Sequence, residues 1–242
     1  MPNYVINEIE LYGNKNEIKR LLDFVKSKDN DFDFDKIIPM PKDLDIVSGG
    51  YECYFIMCYI ASLSNDDADK VKEKLKATKC KYYGDYYTKV YSSEEKLEHM
   101  ENSIVKSYPN GFAECDGFSS VADKTIIGIG KKYVDNILTY GTDTWYDWCV
   151  TNWGTKWNAF DVCVGEKDVS FTTAWNGVPQ LIHYIASLFP NITIKYRYAD
   201  ENIGYNVGDY CFKGNEIEDN TPNEFEDCEK LACDIWGYEY DE

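Results

Sequence analysis

Cys53 and Cys58 are five residues apart, and so are Cys228 and Cys233. These are the closest pairs among nine cysteines, and zinc knuckles are usually tighter. The two histidines, His99 and His183, lie near no cysteine in sequence. The spacing therefore predicts no metal site. Asp29, Asp31 and Asp33 do begin like a calcium loop, but Phe34 stands where the sharp turn needs glycine. Met40 stands where the loop needs a bidentate glutamate, so a solvated loop is expected instead. "GIGKK" at 128–132 contains a G-x-G, yet neither a dinucleotide fingerprint nor a phosphate loop follows. No Ser-x-Gly elbow occurs, and no motif sets a histidine beside a cysteine or serine. The carboxylates are too many to single out a catalytic pair. The expectation is a protein without enzymatic activity and without a cofactor. His183 falls opposite the apolar stripe of its helix, as a surface histidine would.

Charge narrows the range of partners. The formal net charge is -18, from 43 acidic and 25 basic residues. Proteins that hold nucleic acid by neutralising phosphates need the opposite balance, so direct nucleic-acid binding is disfavoured. Only Arg20 and Arg197 are arginines, which excludes a phosphate site built on several guanidinium clamps. A partner with a basic surface fits better. The bland alternative is that the acidity only keeps the chain soluble. The odd cysteine count and an N-terminus without a basic-then-apolar leader point to free thiols in a reducing cytoplasm. The apolar run from Tyr54 to Leu63 is too short to span a bilayer, which takes about 20 residues.

Aromatic residues cluster twice. "WYDWCVTNWGTKWNAF" at 145–160 holds Trp145, Trp148, Trp153 and Trp157. On a helix the first three share one broad stripe, and Trp157 can fold back toward it past Gly154. They are read as anchors buried against a sheet, the alternative being a surface that stacks on bases. The second cluster, Tyr82, Tyr83, Tyr86 and Tyr87, suits either a binding surface or a half-exposed hairpin.

Periodicity supplies the scaffold. Residues 4–12 alternate as a strand, and Ile18, Leu21, Leu22 and Val25 mark an amphipathic helix. "FDKIIPMP" reads as a short strand stopped by prolines. Three helices are expected between about 50 and 140, with lysines late in the first of them. Thr144 can cap a helix over the tryptophans, ended by Gly154. A strand over 169–175, a helix starting at Pro179 and a strand over 192–198 form a βαβ unit, predicting parallel strands. A hairpin to a strand over 205–213 and an acidic helix over about 224–236 follow. Together these predict an α+β, ferredoxin-like mixed sheet with helices on one face. The chain reads as one domain over 1–242 with a mostly helical insertion at about 50–125.

"MPNYVINEIELYG", "FDFDKIIPMPKDL", "WYDWCVTNWGTKWNAFDV" and "TAWNGVPQLIHYIASLFPNITIKYRYADENIGYNVGDYCFKGNEI" resemble, in that order, the ferredoxin-like domain family named after the plasmid protein YubB. The resemblance covers both ends of the chain and leaves 50 to about 125 unmatched. It implies the fold and an origin in phages, prophages or conjugative plasmids, and it carries over no catalytic residues. With the acidic balance, it suggests an inhibitor of a host protein that handles nucleic acid, such as a CRISPR effector or another defence nuclease. The last 42 residues hold 13 Asp/Glu and two Lys, and could imitate a phosphate track. The expected contacts are Glu216, Glu218, Asp219, Glu224, Glu226 and Asp227, joined by the tyrosine cluster. The alternatives are a binder that sequesters a nucleotide signal through Lys195, Arg197 or the helix N-terminus near Val178, and a phage structural or assembly component.

Overall fold

The computed structural model describes residues 2–78, 94–112 and 115–240, with the backbone alone at 94–98 and 100. It divides into two compact units, residues 1–39 with 149–242, and residues 40–148.

The first unit is built on a six-stranded sheet. Its elements are β1 (Tyr4–Tyr12), α1 (Lys15–Val25), the one-turn α2 (Phe34–Ile37), β2 (Phe160–Val164), β3 (Asp168–Ala174), α8 (Pro179–Leu188), β4 (Thr193–Asp200), β5 (Val207–Lys213), β6 (Glu216–Asp219) and α9 (Phe225–Trp236). The strand order is β2-β3-β1-β4-β5-β6. Every pairing is antiparallel, where the sequence pattern predicts a mixed sheet. The reason is β1. It lies between β3 and β4 and runs antiparallel to both. The βαβ unit β3-α8-β4 therefore keeps its strands parallel to each other but not adjacent. The same holds for β1 and β2, which enclose β3. Two such split units interleaved make a ferredoxin-like α+β fold.

The two faces of the sheet differ because side chains alternate along a strand. The inner face carries the buried Val5, Asn7, Ile9 and Leu11 of β1, with Phe171, Ile194, Tyr196 and Phe212. The Asn7 carboxamide donates to Thr173 Oγ1 at 2.9 Å and accepts from the Tyr196 hydroxyl at 2.6 Å. That hydroxyl in turn accepts from the Val178 N–H at 2.6 Å, so this buried polar network tethers the start of α8 to the sheet. The other face carries Ile6, Glu8, Glu10, Lys195, Arg197 and Ala199. Helix α9 lies on this second face, where Ala232 and Ile235 bury Ala199 and pack against Ile6. Helices thus cover both faces, rather than the one the sequence suggests.

"FDKIIPMP" forms the helical turn α2 instead of a strand. Asp33 caps it by accepting from the Asp35 N–H at 2.9 Å. The Asn158 carboxamide accepts from the Phe34 N–H at 2.8 Å and donates to Asp33 at 2.6 Å. Phe32 and Phe34 then face inward onto Phe171, with ring centroids 4.8 and 5.8 Å away.

The second unit is helical where described. It contains α3 (Glu52–Ala61), α4 (Asn65–Ala77), α5 (Glu94–Ser107) and α6 (Ile126–Tyr140), and it runs into α7 (Trp145–Asn152), within which the division between units falls. Its core gathers Phe55, Ile56, Ile104, Phe118, Ile129, Tyr133 and Ile137. Ser64 caps α4, accepting from the Asp67 N–H, and Thr125 caps α6, accepting from the Gly128 N–H. The "GIG" stretch lies inside α6. A Cβ at Gly130 would come within 1.9 Å of the Phe55 carbonyl oxygen, so this glycine lets α3 and α6 touch backbone to backbone. Among the described residues no helix is long and apolar enough to cross a membrane.

Candidate functional site

The acidic residues singled out in the sequence follow one another along the sheet edge and into the last helix. Glu216, Glu218 and Asp219 lie on β6, an edge strand whose four residues are all exposed. Glu224 occupies the N-cap position of α9, and Glu226 and Asp227 lie in its first turn, where the helix dipole favours negative charge. All six carboxylates are exposed. Lys230 partly offsets the helix end, 3.3 Å from Glu226 and 3.7 Å from Asp227. Tyr82, Tyr83, Tyr86 and Tyr87 lie outside the described residues.

The tryptophans divide among several environments. Trp148 and Trp153 are buried, Trp145 is half-buried, and Trp157 is 36% exposed. The Trp153 indole N–H donates to the Ile38 carbonyl at 2.9 Å, and its ring meets Phe34 edge-on. Thr155 Oγ1 donates to the Ala174 carbonyl at 2.7 Å and accepts from the Ala174 N–H at 3.2 Å. The stretch "NWGTKWNA" is therefore a staple holding α2 and β3 together. At the surface, the Lys156 ammonium lies 4.7 Å from the Trp157 ring and 5.0 Å from the Trp175 ring. Trp175 adopts φ +75°, which is costly for a bulky residue. Its carbonyl accepts from Asn206 Nδ2 at 2.8 Å and its N–H donates to the Asn3 carbonyl at 2.8 Å.

The second face of the sheet carries an open polar cleft of about 320 Å³, lined by Glu8, Glu10, Lys195, Arg197, Asp209 and Asn220 among others. Arg197 is held between Glu8 and Asp234, each at 2.7 Å. Tyr12 donates its hydroxyl proton to Glu10, which pushes the tyrosine pKa up, and Lys195 rests 5.3 Å over the Tyr12 ring. The three groups named for holding a phosphate do not converge. Lys195 and Arg197 are on this face, whereas the Val178 N–H is buried on the other and committed to Tyr196.

His183 is half-buried rather than a surface histidine. Its ring stacks on Phe212 at 5.5 Å, and its Nε2 is buried without a hydrogen-bond partner. The sheet continues past β4 into β5, so the side of α8 that looks solvent-facing in the sequence is covered. The described cysteines are free thiols. Burial, and then the nearby Asp35 charge, push the Cys149 thiol up to about 12. Among the described residues no three His, Cys, Asp or Glu side chains converge as a metal site.

One exposed feature escaped the sequence reading. Tyr205, in the β4–β5 turn, is 58% exposed, and Phe225, at the first position of α9, is 49% exposed. Their rings pack edge to face, 5.2 Å apart. Phe225 continues the apolar stripe of α9 through Cys228, Leu231, Ala232 and Ile235, so helical periodicity alone would place it inside.

Residues 152–239 match the family model described as the ferredoxin-like domain in Api92-like protein. The crystal structure of protein api92 from Yersinia pseudotuberculosis aligns over 93% of this chain and 100% of its own, at 10% sequence identity and a TM-score of 0.40. No curated protein matches the chain.

Proposed function

We propose that this protein is an acidic binding protein of a phage, prophage or other mobile element. In this reading it acts in the host cytoplasm as a counter-defence inhibitor, occupying the basic nucleic-acid channel of a host protein such as a CRISPR effector. The observation that carries the reading is the exposure of Glu216, Glu218, Asp219, Glu224, Glu226 and Asp227 on β6 and the start of α9. No lysine or arginine occurs between Lys213 and Lys230, and Lys230 alone pairs with this run, at Glu226 and Asp227, among the described residues. Carboxylates on fixed backbone can replace phosphates against a lysine- and arginine-lined channel. The mobile-element origin rests on the resemblance to the YubB-type family.

The test is capture of nucleic-acid-handling proteins from host lysate at two salt concentrations. Reversing the charge at Glu224, Glu226 and Asp227 together should lower the melting temperature only modestly, because all three are exposed and each loses about 0.3–1 kcal/mol of helix-dipole interaction. The same change should weaken capture, and the loss should shrink as salt screens the interaction. Retention of no basic nucleic-acid-handling protein at low salt would refute the reading.

A further inference from the structure

We propose that Tyr205 and Phe225, with Glu229 beside them, form a receptor for an arginine side chain of the partner. This deepens the acidic-docking reading above and rests on it.

The two rings are exposed, yet they are held in place. Asp200, only 4% exposed, accepts from Asn3 Nδ2 at 3.1 Å, the Asn202 N–H at 2.9 Å and Asn206 Nδ2 at 3.1 Å. These bonds fix the turn that presents Tyr205, whose own N–H donates to the Asn202 carbonyl at 3.1 Å. Gly204, at φ +83°, lets α9 approach the turn. A Cβ there would come 2.8 Å from the Phe225 ring and 2.7 Å from the Glu229 side chain. The aromatic pair and the carboxylate are thus assembled before any partner arrives, which lowers the ordering cost of binding.

Chemistry selects the occupant. An exposed aromatic surface beside carboxylates suits a cation that is planar and can stack, which describes guanidinium better than ammonium. Glu229, the carboxylate that the Gly204 contacts place beside Phe225, makes no ion pair among the described residues, so it retains charge to offer. A second copy of this chain is a poor source of the arginine. Its only two, Arg20 and Arg197, are paired with Glu17 and with Glu8 and Asp234. The occupant is therefore a foreign basic protein, and Tyr205 and Phe225 are the aromatic anchors that interfaces favour.

Two peptides of equal length and charge, one bearing arginines and the other lysines, test this by fluorescence anisotropy at low salt. The intact chain should prefer the arginine peptide by roughly fivefold, the size of a cation–π contact. Tyr205→Ala should abolish the preference while leaving lysine-peptide affinity unchanged. Phe225→Leu keeps an apolar group against Gly204, guards against loss of folding, and should also abolish it. Charge reversal at Glu224, Glu226 and Asp227 should weaken both peptides alike. Equal binding of both peptides, or a preference that survives both ring substitutions, would overturn the arginine receptor and leave the acidic-docking reading standing. Failure of both peptides to bind would overturn the two together.

Discussion

Trp153 shows at the scale of one residue why a tryptophan-rich stretch need not be a binding surface. Its ring is 5% exposed and its N–H is spent on the Ile38 carbonyl. Trp153→Ala should lower unfolding stability by about 3–5 kcal/mol, the range for truncating a core aromatic, measured by urea titration. Trp153→Phe keeps most of the ring but strands a carbonyl, and should fall between wild type and alanine. The burial of Trp148 and Trp153 is legible because helical spacing and indole size both demand it, whereas Trp145 on the same stripe is only half-buried. Trp157 was less so, since a residue beyond Gly154 has no periodicity to place it. Phe225 was illegible for the opposite reason. It keeps the period of α9, but it lies at the helix's first position, where the turn at Gly204 and not the sheet lies beneath it.

At the scale of elements, the alternating strands β1, β3, β4 and β5 and the capped helices α4 and α6 follow from local sequence. Ser64 caps α4 as a serine ahead of acidic residues should, whereas Thr125 starts α6 earlier than the sequence pattern suggests. What failed was everything settled by a distant neighbour. α2 is capped locally by Asp33, but Asn158, more than a hundred residues away, also accepts from the Phe34 N–H and donates to Asp33, a support that no window over "FDKIIPMP" can contain. β6 has four exposed residues, so burial imposes no alternation on it and its sequence reads as a loop. Gly130 is another such case, because its lack of a side chain matters only once α3 lies against it. Gly130→Ala gains helix propensity and still should destabilise the helical unit by about 1–3 kcal/mol, because the obstruction is the Phe55 backbone and cannot rotate away. Thermal unfolding followed by circular dichroism measures this. An unchanged or higher melting temperature would mean that α3 and α6 are not in backbone contact.

Across the whole molecule, buried groups that must stay neutral give stability a defined alkaline limit. Burial pushes Tyr198 up to about 12, with Tyr210 adding to it, and Cys149 up to about 12. Burial also raises Tyr133 and Tyr196. In the unfolded chain such thiols and phenols ionise near 9 and 10. A folded pKa above the unfolded one means that the unfolded state releases its proton first as pH rises. Stability from these groups is therefore intact below about pH 9 and is lost progressively toward pH 12. Urea midpoints should be flat from pH 7 to 9 and fall steeply above, while absorbance at 295 nm should show part of the 21 tyrosines ionising only with unfolding. The sheet carries a further consequence, one of timing. β1 is synthesised first, yet its partners are residues 168–174 and 193–200. At about 5–20 residues per second, the ribosome needs roughly 10–40 s to deliver β4 after β1 has emerged. For that interval the central strand of the finished sheet is an open hydrophobic edge, while the helical segment between can already fold on contacts of its own. The segment read as an insertion is thus also a delay, during which nascent β1 has neither of its partner strands.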